Sequence, residues 1–201
     1  MAGDEYPALQ PSTRFSLKTA NQLALWAKLA YAGENPNATT CQATWEDAVG
    51  NEAVAALSAR WGYRTYAVEY PEEELRALVA ISQAEPGSDT PPHMVLSFRG
   101  TKTRKNWITD LNARKDDSGE RHRGFAKAVK LLWPALVQIF DQYPPTALSH
   151  LYMTGHSLGG AMAMIALDKL WRERGYVPIE QLSLCNFAAP RAGTSVFQQR
   201  L

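Results

Sequence analysis

Hydrophobic positions along this chain change period several times, and each change marks an expected element. Ala20, Leu23, Ala24, Ala27, Ala30 and Tyr31 recur at helical spacing behind Ser16, an N-cap residue, so a helix is expected to about Ala32. Asn35-Pro36-Asn37 breaks the chain there. A second helix is expected over 44–60, with Gly62 just past its end as a stop. Over 63–70 the pattern alternates and β-forming residues dominate, as in a half-buried strand. Two unbroken apolar runs follow, 77–81 and 94–98. Pro86-Gly87-Ser88-Asp89 and Pro91-Pro92 between them look like a surface hairpin connection.

Residues 112–121 are charged and contain glycine, which fits a loop or an edge segment. Phe125, Val129, Leu132, Leu136 and Ile139-Phe140 then fall on one side of a helix over 125–143, ended by Pro144-Pro145. A strand over 148–154, a glycine-bounded turn, a helix over 158–174 and a strand over 182–188 complete the pattern. Strand, helix and strand joined by short turns form a right-handed crossover in a parallel sheet. The expected fold class is α/β, a mostly parallel sheet flanked by helices. No repeat, low-complexity tract or linker interrupts it, so residues 1–201 read as a single domain.

Charge and composition narrow the function classes. Twenty-one Lys and Arg against twenty Asp and Glu leave a formal charge of +1, too little to gather nucleic acid or an anionic membrane. Cys41 and Cys185 have neither the number nor the spacing of a disulfide framework or a zinc site, so no metal and no cofactor is expected. Cys185 lies in an apolar run and is expected as a buried thiol, a bridge to Cys41 being the alternative. Residues 1–15 are polar and proline-punctuated, without the apolar core of a signal peptide. No run approaches the length of a transmembrane helix. The sequence as it stands reads as cytoplasmic, or exported without a cleavable signal peptide.

The candidate chemistry sits in Gly155-His156-Ser157-Leu158-Gly159. A serine hydroxyl is a poor nucleophile unless it is held out of the sheet beside a base. A sharp strand-to-helix turn does this, at the cost of a strained serine backbone and of small residues two before and two after it. Gly155 and Gly159 occupy those two positions, and Gly160 and Ala161 extend the small surface. The first amides of the new helix would face a developing oxyanion, the Leu158 N–H foremost. The alternative is a glycine-rich turn that happens to hold a serine. The apolar strand before it and the helix after it favour the catalytic reading, with Ser157 as the nucleophile.

Five blocks occur in one order: Leu96-Ser97-Phe98-Arg99-Gly100-Thr101, Asn106-Trp107-Ile108-Thr109-Asp110, His122-Arg123-Gly124-Phe125, Gly155 to Gly160, and Ala189-Pro190-Arg191-Ala192-Gly193. In that order and spacing they resemble the lipase class 3 family, the fungal-type triacylglycerol lipases of α/β-hydrolase fold. The resemblance covers most of the chain from about Ala20 onward. It implies a carboxylic ester hydrolase, a lipase or phospholipase, acting through an acyl-Ser157 intermediate. It implies Thr101 as the second oxyanion donor, through its backbone N–H and hydroxyl, where the plain alternative is a strand-ending turn. Residues 102–110 match the family's mobile lid, with Trp107 and Ile108 as its apolar face; a short core-packed helix is the alternative. Asp110 looks like the aspartate that holds this loop, or else an ordinary N-cap. His122 falls where the family carries a structural histidine.

The rest of a triad is not found. In this fold the order is Ser, then Asp, then His, yet His93, His122, His150 and His156 all precede Ser157. His150 is expected about 20 Å from Ser157 along its strand, at about 3.3 Å per residue. His93 sits at the corresponding far end of its own strand. His156 adjoins the nucleophile, but neighbouring strand side chains point to opposite faces. Asp168 lies eleven residues along the helix, about 16 Å away. The expectation is therefore a class 3 lipase-like domain lacking the C-terminal part that carries the triad Asp and His. Expected partners are a lipid or other ester substrate, a companion chain or C-terminal segment supplying Asp and His, and transient contact with a lipid interface. The competing reading is a catalytically incomplete α/β-hydrolase-fold protein that serves as a binding or interaction module.

Overall fold

The Ser16 hydroxyl accepts the Thr19 N–H at 3.4 Å and opens helix α1, Leu17–Leu29, much as the spacing predicts. The computed structural model of the protein describes residues 9, 14, 16–32, 52–83, 91–100, 115–174 and 178–201. Helix α2 spans Glu52–Arg60, and Gly62 follows it at φ +78°, the left-handed conformation glycine adopts freely. The expected start of this helix at 44–51, the turn at Pro86–Asp89 and Cys41 lie outside the described residues, as do Thr101 and the whole of 102–110.

Five strands follow among the described residues: β1 Tyr63–Tyr70, β2 Leu75–Ser82, β3 His93–Phe98, β4 His150–His156 and β5 Leu182–Phe187. Helix α3, Arg123–Gln142, joins β3's side of the chain to β4. Helix α4, Leu158–Arg174, joins β4 to β5, and a short helix α5, Ser195–Arg200, comes last. The strands lie side by side in sequence order. Pairings β1–β2 and β2–β3 are antiparallel, as the hairpin connection implies, while β3–β4 and β4–β5 are parallel. The sheet is thus mixed rather than mostly parallel, and its parallel half leads into Ser157. The class is α/β.

Both faces are covered, and strand alternation assigns each side chain to one of two cores. Ala77, Val79, Met94, Leu96, Leu151 and Met153 pack with α3 and α4. Leu78, Ala80, Val95 and Tyr152 pack with Leu23 and Trp26 of α1 on the other face. A buried hydroxyl ties α1 down by a carbonyl: Ser97 Oγ donates to Trp26 O at 3.0 Å, while Thr154 Oγ1 donates to Cys185 O at 2.7 Å with Leu23 O 3.4 Å away. Helix α3 carries Pro134 inside it, on its exposed side, where the carbonyl freed by the missing N–H meets water. Among the described residues strand β5 pairs with β4 alone, and it is half-buried along its whole length. Cys185 on β5 is accordingly half-buried, not the fully buried thiol expected, and what burial it has raises its pKa. Among the described residues no helix is long and apolar enough to cross a membrane.

Candidate active site

Ser157 sits between β4 and α4 with φ +56°, a conformation that a residue with a Cβ adopts at a cost. The turn is built by close approach. A Cβ on Gly155 would fall 2.6 Å from Gly160 N, and one on Gly159 would fall 2.7 Å from the Phe98 carbonyl carbon. Strand and helix can meet this tightly only with glycine at both places. Gly155 is also in register with Phe98 of β3 on one side and Asn186 of β5 on the other, so the turn is flanked by both strand ends.

Hydrogen bonds hold it there. The Ser157 N–H donates to Phe187 O at 2.8 Å, the Gly160 N–H to Ser157 O at 3.0 Å, and Asn186 Nδ2 to Gly160 O at 3.0 Å. Leu158, buried, is the first residue of α4, and the first N–H groups of a helix have no partner within it. Gly100 passes beside the nucleophile: a Cβ on it would lie 3.4 Å from Ser157 Cβ. The exit of β3 therefore runs along the serine, one residue short of Thr101, which itself lies outside the described residues.

Tyr31, known from the sequence only as one member of a helical series, stands at this junction. Its hydroxyl lies 3.0 Å from His156 Nδ1 and 3.5 Å from His156 O, and the Gly100 backbone passes close beside it. Burial raises its pKa; the Gly100 N–H and the charge of Arg99 pull the other way. No local signal marks this tyrosine, because its partners are far along the chain.

All four histidines are engaged elsewhere. His93 Nε2 meets Tyr63 OH at 2.7 Å and His150 Nε2 meets Ser183 Oγ at 2.9 Å, at the opposite end of the strands from Ser157. His122 caps α3: the Gly124 N–H donates to its Nδ1 at 3.2 Å, and its ring stacks on Phe125. This is the structural role expected of it. His156 points its Nδ1 at Tyr31. Asp168 is buried on α4 and bonded by Arg121, Arg172 and Arg200. Among the described residues no group of three His, Cys, Asp or Glu is placed to hold a metal.

The Lipase (class 3) family profile matches residues 95–201, more than half of the chain. The chain is 34% identical over 116 residues to a lipase of Rhizomucor miehei, covering 54% of this chain and 32% of that protein. It is 28% identical over 123 residues to a lipase of Rhizopus niveus, covering 55% of this chain and 30% of that one. The chain thus spans about a third of the length of these relatives. The fold is shared with the crystal structure of a mono- and diacylglycerol lipase from Aspergillus oryzae, at a TM-score of 0.66 and 20% identity, over 92% of this chain and 66% of that one. The family match begins inside β3 and runs through Gly100, the Ser157 turn and β5, the same stretch that assembles the site. By that match the chain belongs to the Lipase (class 3) family.

Proposed function

We propose that this protein is a carboxylic ester hydrolase, a lipase or phospholipase, working through an acyl intermediate on Ser157. The observation that carries the proposal is the φ of +56° at a serine between a strand and a helix, strain that packing alone does not call for. Ser157 Oγ attacks the ester carbonyl carbon while its proton passes to a general base. The carbonyl oxygen becomes an oxyanion held by the N–H of Leu158 and by the N–H and hydroxyl of Thr101. Collapse expels the alcohol, which takes that proton, and water then releases the acid by the same steps. Lipid esters are the substrate class because the relatives are lipases by name. Residues 102–110, with Trp107 and Ile108, are the candidate lid by the family resemblance.

The base and the carboxylate that orients it lie outside residues 1–201, in a further segment or on a companion chain. Support comes from the four histidines, each committed to another partner. Triad members act as a unit, so residues 1–201 by themselves are expected to retain about 10³–10⁴-fold over water, from oxyanion donors and binding alone. They should label slowly with a fluorophosphonate probe. Adding a segment that carries Asp and His should restore both labelling and ester hydrolysis, and Ser157→Ala should abolish them in that active form. Rapid stoichiometric labelling of Ser157 in the isolated 201 residues would overturn this placing of the base. A completed protein that hydrolyses no ester would instead favour a binding module.

A further inference from the structure

Two sequence blocks that this chemistry leaves unused, the one at His122 and the one at Arg191, meet at a single cleft. Arg121 and Gly193 pair as an antiparallel bridge, the His122 N–H donates to Ala192 O at 2.8 Å, and the Thr194 N–H donates to Glu120 O at 2.7 Å. Lys115 pairs with His122 across the preceding turn. The cleft between these segments has a volume of about 350 Å³, and Lys115, Glu120, Arg121, Arg191, Thr194 and Ser195 lie on its walls.

Its charges do not balance. Arg121 bonds Asp116 at 2.7 Å and Asp168 at 3.4 Å, Arg172 bonds Asp168 at 3.1 Å, and Arg200 bonds Asp168 at 3.0 Å and Glu120 at 2.6 Å. Three arginines thus meet three carboxylates, and that network is neutral within itself. Lys115 and Arg191 stand outside it, both exposed. Lys115 has no ion-pair partner among the described residues. Arg191 donates its Nε to Gly193 O at 2.9 Å, which leaves its two terminal nitrogens facing out. Asp117, on the turn, is exposed and is not on the cleft wall. Thr194 Oγ1 accepts the Phe197 N–H and keeps its own proton to donate, as does Ser195.

Two cations without a carboxylate partner among the described residues, one a planar guanidinium, beside two hydroxyl donors match a group with two negative charges and three terminal oxygens. A carboxylate, with one charge and two oxygens, would leave half of this set unused. One wall of the cleft continues the chain from the C-terminal end of β5. Ala189 packs against the first turn of α4, where a Cβ on Gly160 would be 2.7 Å from Ala189 Cβ, and Arg191 is two residues further, at most about 7 Å of chain. We propose that this cleft binds a phosphate monoester group, carried by a lipid head group or by a soluble molecule.

The proposal concerns binding and stands apart from ester hydrolysis. Inorganic phosphate would be titrated against the protein, followed by calorimetry or by ³¹P line broadening. Phosphatidylcholine vesicles with and without phosphatidate would be tested by co-sedimentation. Lys115→Ala with Arg191→Ala should weaken phosphate binding about tenfold or more, with an unchanged circular dichroism spectrum, since both side chains are exposed. Lys127→Ala, which removes an exposed cation paired with Glu73 on α3, should leave binding as it was. Retention on phosphatidate vesicles that inorganic phosphate reverses would identify a lipid head group; phosphate binding without vesicle retention would identify a soluble ligand. Absence of saturable phosphate binding, or binding that the double variant keeps, would overturn the proposal.

Discussion

At Ser157 the backbone occupies a region that costs a side-chain-bearing residue of order 1–2 kcal/mol and costs glycine nothing. The prediction at this scale needs no enzymatic activity. Ser157→Gly should be more stable than Ser157→Ala by about 1 kcal/mol in urea unfolding, the reverse of the order in a helix interior. Equal midpoints would mean the turn is relaxed in solution. This residue was legible in the sequence because its chemistry imposes local demands: small residues two before and two after, an apolar strand ahead, a helix behind. Gly155 and Gly159 meet those demands through backbone contacts that admit no Cβ.

Among the elements, β3 and β4 place two histidines opposite each other at their first residues, His93 and His150. Both are buried. Burial, with the neighbouring His150 second, lowers the His93 pKa from 6.5 to about 4, and burial lowers that of His150 as well. A histidine with a folded pKa below its unfolded one stabilises fully above the unfolded value and loses that contribution as pH falls toward the folded one. Stability should therefore drop between pH 6.5 and 4, by about 1.4 kcal/mol per unit and about 3 kcal/mol in all for His93. Urea midpoints measured across this range should show that slope, and His93→Gln should flatten it; a flat wild-type profile would contradict it. Periodicity located these strands well, because burial on both faces writes an unbroken apolar run. It said less about pairing direction, which follows from connection length instead: a short link closes an antiparallel pair, a helix a parallel one. Nor did the apolar run at β5 reveal that this strand is the outermost of the described ones, where Cys185 is only half covered.

Across the whole molecule, the contact that sequence reasoning missed joins Tyr31 to His156, 125 residues apart. Nothing near Tyr31 announces it, since its meaning arises only when α1 lies on the sheet. Its hydroxyl bonds His156, the residue before Ser157, where the exit of β3 at Gly100 passes close by, and on the proposed mechanism it would help hold the spacing between the two oxyanion donors. In the active form, Tyr31→Phe should lower kcat about tenfold while KM changes by less than about twofold, the mark of a contact that matters in the transition state. Loss confined to KM, or none at all, would reduce Tyr31 to a packing residue.

The strand order has a consequence in time. Because β1 to β5 lie in the sheet as they lie in the chain, each strand emerging from a ribosome finds its partner in the one made just before it. The exception is α1, which packs on β3, β4 and β5 and must wait for all three. The first helix of the described residues thus waits for strands made long after it, and Tyr31 follows it by two residues. Until it settles, the Ser157 turn can already form between β4 and the helix after it while Tyr31 is still away from His156.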